Sequence, residues 1–159
     1  MLTMKNSAVQ AEDKHIAVAL RAAFGISSRF DLAEIVARFK ELREDNITPA
    51  DGLIELGKMV AYLRMKPVRK KPNRTVWPMY IVRDQIHDLL VRYGSTSTWQ
   101  VIKSIALDNP GWIPKEDVGL TLLYMDLGGE LEIDEDGVWA VDGSFIRKEV
   151  YVPVDSSIH

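Results

Sequence analysis

The chain contains no cysteine. That single absence excludes disulfide frameworks, thiolate zinc sites and cysteine nucleophiles. Its three histidines, His15, His87 and His159, are too few and too dispersed for an imidazole metal cage. No apolar run approaches the roughly 20 residues that a membrane-spanning helix requires. Residues 1–10 lack the basic-then-apolar order of a secretory signal, so a soluble, cytoplasmic protein is the expectation. Gly128-Gly129 is followed by neither the Lys nor the Ser or Thr of a phosphate-binding loop. The acidic run Asp134 to Asp136 before Gly137 lacks the further oxygen ligands of a calcium loop and reads as a turn. His87 has no serine or cysteine at a spacing that pairs them. No catalytic residues, metal or cofactor are therefore expected, and the chain reads as non-enzymatic.

What is present is an ordinary globular composition in an unusual arrangement. The 159 residues are 47% hydrophobic and 27% charged, enough for one domain or two small units. The net charge of -3 conceals a strong segregation. Residues 64–74 hold six basic and no acidic side chains, whereas residues 108–142 hold one basic and ten acidic ones. Such asymmetry bears on partners and steering rather than on fold.

Periodicity and stop signals divide the chain into helices. An alanine-rich segment at residues 12–24 ends at Gly25. Residues 29–44 repeat Leu32, Ile35, Val36, Phe39 and Leu42 at helical spacing, with Glu34 and Arg38 as a favourable pair four residues apart. Thr48 as N-cap and Pro49 at the first helical position open a third helix with Leu53, Leu56, Val60 and Leu63 on one side. It should end before Pro67. Residues 79–93 place Val82, Ile86, Leu89, Leu90 and Tyr93 on one face. Ser97 and Gln100 have capping-box spacing and begin a short helix through about Leu107, which 109–111 (Asn-Pro-Gly) break. Pro114 opens a further helix over 115–127, stopped by Gly128-Gly129. The period then changes to that of strands: 130–134 alternates, Asp136-Gly137 signals a hairpin turn, and 138–142 returns. Residues 151–154 are a candidate third strand. The organisation expected is a helical unit at 1–66, a basic linker or arm at 67–76 and a mixed unit at 77–159. The fold class is mainly α with a small β-hairpin (α+β).

Three helices followed by a tight hairpin resembles the winged helix-turn-helix superfamily over residues 79–142. Val118, Thr121, Leu122 and Met125 take the core positions of its third helix, and Gly129 precedes the wing strand with Leu131 and Ile133. The resemblance implies that the third helix enters the major groove of DNA. The residues depart from that pattern. Outward positions would be Glu116, Asp117, Gly119, Leu120, Leu123, Tyr124 and Leu127, whereas base edges are read mostly by Arg, Lys, Asn and Gln. The wing tip, Asp134-Glu135-Asp136, would face phosphates with like charge.

Two candidate surfaces follow. Leu120, Leu123, Tyr124 and Leu127 form an apolar stripe that either contacts a protein partner or packs on the N-terminal helices. Arg64, Lys66, Arg69, Lys70, Lys71 and Arg74 are the nucleic-acid candidates, since a basic arm binds the phosphate backbone with little sequence preference. A solvated linker and docking onto the acidic unit are the other readings of that tract. Trp77 and Tyr80 beside it are either base-stacking platforms or, for Trp77, a core anchor. The N-terminal stripes, Leu32, Val36 and Phe39 with Leu53, Val60 and Leu63, bury against each other or against a second copy of the chain. The function expected is an accessory or regulatory protein of transcription or replication, with the basic arm on nucleic acid and the acidic unit on a protein partner. The alternative is an interaction module, or an inhibitor mimicking nucleic acid, with no nucleic-acid contact.

Overall fold

The computed structural model describes residues 2–64, 78–108 and 113–141. It is mainly helical with one small antiparallel hairpin, in the order α1 (Leu2–Phe24), α2 (Arg29–Glu44), α3 (Pro49–Arg64), α4 (Met79–Tyr93), α5 (Thr98–Ile102), a π-helical turn (Lys103–Leu107), α6 (Lys115–Leu127), β1 (Leu131–Asp134) and β2 (Gly137–Ala140). The candidate strand at 151–154, the proposed linker at 67–76 and Trp77 lie outside the described residues.

Local chemistry explains most helix limits. The Ser28 hydroxyl accepts from the Asp31 amide at 3.4 Å and opens α2. Thr48 caps α3 through the Asp51 amide at 3.3 Å, and Ser97 caps α5 through the Gln100 amide at 3.2 Å. Helix α2 closes with Asn46 in the left-handed region at φ 56, and the Ile47 amide reaches back to the Leu42 carbonyl at 3.3 Å. Arg38 turns to Glu41, 3.4 Å away, and not to Glu34. Helix α1 begins ten residues earlier than its stop-and-period signals indicate.

The hairpin differs from expectation by one residue. Its two-residue turn is Glu135-Asp136, and Gly137 opens the return strand opposite Asp134. Asp134 organises the turn, its carboxylate accepting from the Asp136 and Gly137 amides at 2.8 and 3.0 Å. Gly137 is required there for space. A Cβ on it would lie 2.7 Å from the Thr96 backbone, because Thr96 pairs with Val138 as a one-residue extension of the sheet.

The described elements on both sides of the 67–76 segment share one core. Ile16, Ala19, Leu20 and Ala23 of α1 join Leu32, Ile35, Phe39 and Leu42 of α2, Leu56 and Val60 of α3, Val82, Ile86 and Leu90 of α4, and Val118, Leu122, Leu123 and Met125 of α6 in one apolar cluster. The two N-terminal stripes are buried within one chain: Leu32, Phe39 and Val60 are buried, and Val36, Leu53 and Leu63 pack against the same core. They are not a free face for a second copy. Tyr93, expected on the apolar face of α4, is 67% exposed.

Candidate functional site

Helix α6 is the element whose exposure decides what the molecule can contact. Val118, Thr121, Leu122 and Met125 are buried, as their core positions require. The opposite side is covered as well. Helix α1 crosses α6 at Gly119, where an added Cβ would lie 2.6 Å from the Ala23 amide nitrogen and 2.8 Å from the Ala19 carbonyl. The alanines of α1 and the glycine of α6 thus allow two backbones to approach more closely than larger side chains permit. Leu123 is fully buried, and Leu120 and Leu127 pack against the core. Leu127 seats on α3, where a Cβ at Gly52 would lie 2.5 Å from its Cδ1. Tyr124 is half-buried. Of the two readings of the stripe, packing on the N-terminal helices is the one found, so the stripe is not a free partner-binding surface.

Beneath this crossing lies a polar cluster that the sequence pattern did not reveal. His15 of α1 is 2% exposed, with Nδ1 2.7 Å from Thr98 Oγ1 of α5 and Nε2 3.2 Å from Asp126 Oδ2 of α6. Asp126, 3% exposed, also accepts from the Arg43 guanidinium of α2 at 2.9 Å, and Arg43 pairs with Glu12. Burial opposes the charge of Arg43, but Asp126 and Glu12 outweigh it and hold its pKa above the ordinary value. The guanidinium also lies 5.7 Å from the centre of the Phe39 ring. Hydroxyl, imidazole and carboxylate in sequence resemble a nucleophilic triad in group order alone. Here the carboxylate shares its charge with Arg43, and the His15 Nε2 contact is out of line for a hydrogen bond. The hydroxyl is buried at Thr98. The chemistry this cluster performs is to join α1, α2, α5 and α6. Its contacting residues lie far apart in the chain, from Glu12 and Arg43 to His15 and Asp126, so no local spacing marks them.

The surface of the described residues includes two concavities of note. A groove of about 790 Å³ runs between α4 and α5, lined by Asp88, Arg92, Tyr93, Gln100 and Ser104 among others. A smaller cleft of about 330 Å³ lies between α1, the start of α5 and the hairpin turn. Its walls include Ala11, Val18, Trp99 and Ile133, and its rim carries Lys14, Asp134, Glu135 and Asp136. Asp134 is fixed further by the Trp139 indole, which donates to it at 2.6 Å. The hairpin is held to the body at its base, where Arg83 of α4 donates to Glu130 at 2.6 Å. That hydrogen bond raises the pKa of Arg83.

Of the basic residues, Arg64 is the last residue of α3. Lys66, Arg69, Lys70, Lys71 and Arg74 lie outside the described residues. Among the described residues no three His, Asp or Glu side chains gather to hold a metal ion, and no helix is long and apolar enough to cross a membrane. Comparison with protein-family models, with curated proteins and with solved structures finds no match to this chain.

Proposed function

We propose that this protein is a non-enzymatic accessory or regulatory factor of transcription or replication. In this reading, Arg64, Lys66, Arg69, Lys70, Lys71 and Arg74 hold nucleic acid by its phosphates, and the acidic unit carrying the hairpin contacts a protein. The observation that carries it is the covering of α6 combined with the segregation of charge. With α1 seated on Gly119 and the hairpin tip carrying carboxylates, neither α6 nor the wing offers phosphate a favourable surface. The concentrated positive charge of the chain lies at 64–74. The order of α4, the Thr96 bridge, α5, α6 and the hairpin supports the winged helix-turn-helix resemblance, from which the transcription or replication setting follows.

The test is a salt series on mixed-sequence single- and double-stranded DNA, comparing the wild type with a Lys70→Gln/Lys71→Gln/Arg74→Gln variant. Neutralising three phosphate contacts should reduce the slope of log affinity against log salt by about 3 on duplex DNA. Absence of wild-type binding at low salt would refute the nucleic-acid half of the proposal and leave the protein contact as the function.

A further inference from the structure

We infer that the cleft between α1, α5 and the hairpin turn takes a basic side chain, Lys or Arg, from an extended segment of a protein partner. This rests on the reading that the acidic unit contacts a protein, and it names where and by what chemistry.

The cleft is small and mostly apolar, with charge confined to its edge. At about 330 Å³ it is of a size for one or two side chains. Ala11, Val18 and Ile133 offer apolar contact to the alkyl stem of a long cation, which such side chains bury readily while the charged end stays in polar surroundings. Trp99 stands on the wall with 52% of its surface exposed, one of the large apolar side chains that the core does not absorb. An indole face attracts a guanidinium or ammonium group. Glu135 and Asp136 complete the rim. Both are exposed, and neither carboxylate has a partner among the described residues, whereas Asp134 is committed to the turn and to Trp139.

The charge balance selects the occupant. Three carboxylates and one ammonium, Lys14, surround the opening, so the rim is net negative. A phosphate or an acidic peptide meets repulsion there, and an apolar side chain leaves Glu135 and Asp136 unused. A cation satisfies both the indole and the carboxylates. The turn backbone that carries Glu135 and Asp136 is tied down by the Asp134 hydrogen bonds and by the pairing of Thr96 with Val138, so both residues stay at the edge of the cleft.

The experiment uses the full chain and a fluorescently labelled, end-blocked hexapeptide of alternating Arg and Gly, with a Glu-Gly peptide as control. Anisotropy titrations compare the wild type with Trp99→Ala, with Glu135→Gln/Asp136→Asn, and with Glu132→Gln/Asp88→Asn, which removes the same charge outside the cleft. Circular dichroism verifies that each is folded. Saturable binding of the Arg peptide alone is expected. Trp99→Ala and the Glu135/Asp136 variant should each weaken it by about tenfold, while the charge control changes it by less than about twofold. Equal weakening by both charge variants, with Trp99→Ala silent, would overturn the cleft while keeping an acidic protein-contacting surface. No binding of the Arg peptide to the wild type would overturn both.

Discussion

Asp126 lies between an arginine and a histidine and is almost completely removed from water. It accepts from Arg43 and lies beside His15, and each neighbour belongs to a different helix. Removing its charge while preserving its shape, as Asp126→Asn does, leaves Arg43 partly buried without one of its two anions. Breaking such a pair from one side is far more costly than replacing both members by apolar groups. Arg43 retains Glu12 and is 29% exposed, which moderates the loss. The expected destabilisation is about 3 kcal/mol, read as a lower urea midpoint with an unchanged slope. Adding Arg43→Met should recover at least about 1 kcal/mol of it, because no partly buried guanidinium is then left short of an anion. Additive losses in the double variant would show that the pair does not couple.

At the scale of elements, the crossing of α1 and α6 depends on one absent side chain. Alanine is normally preferred to glycine within a helix by about 1 kcal/mol. Gly119→Ala should nonetheless destabilise the protein by about 2 kcal/mol net, because its methyl group meets the backbone of Ala19 and Ala23 and forces the helices apart. Thermal or urea unfolding checks the sign, and a more stable variant would mean that the helices do not cross there. The contrast also explains what the amino-acid sequence made legible. The starts of α3 and α5 and both limits of α6 could be read because they depend on neighbours within a few residues: Thr48 and Pro49, Ser97, Pro114 and Gly128. The alanines of residues 12–24 indicated a helix but not its purpose, since the glycine they accommodate lies some hundred residues away. The same holds for His15, whose partners Thr98 and Asp126 come from helices distant in the chain. The stripe of Leu120, Leu123 and Leu127 was visible as apolar, yet periodicity does not say which neighbour covers it. Tyr93 shows the converse: it shares the apolar spacing of α4 but falls at the helix end, where the core no longer reaches.

For the whole molecule, the segments before and after residues 67–76 form one core, and this relocates the plausible contacts. With α6 sealed by α1, the faces left to partners among the described residues include the hairpin and the α4–α5 groove. Both proposed contacts require α6 to be an interior helix. Amide hydrogen exchange across residues 118–125, measured with and without duplex DNA, tests this most directly. We predict that these amides exchange only through global unfolding, as slowly as those of Ile86 and Leu90 in α4, and that DNA leaves their rates unchanged. Fast exchange of α6 through local release of α1, or new protection of α6 when DNA is added, would contradict the account and return α6 to the role of a reading helix.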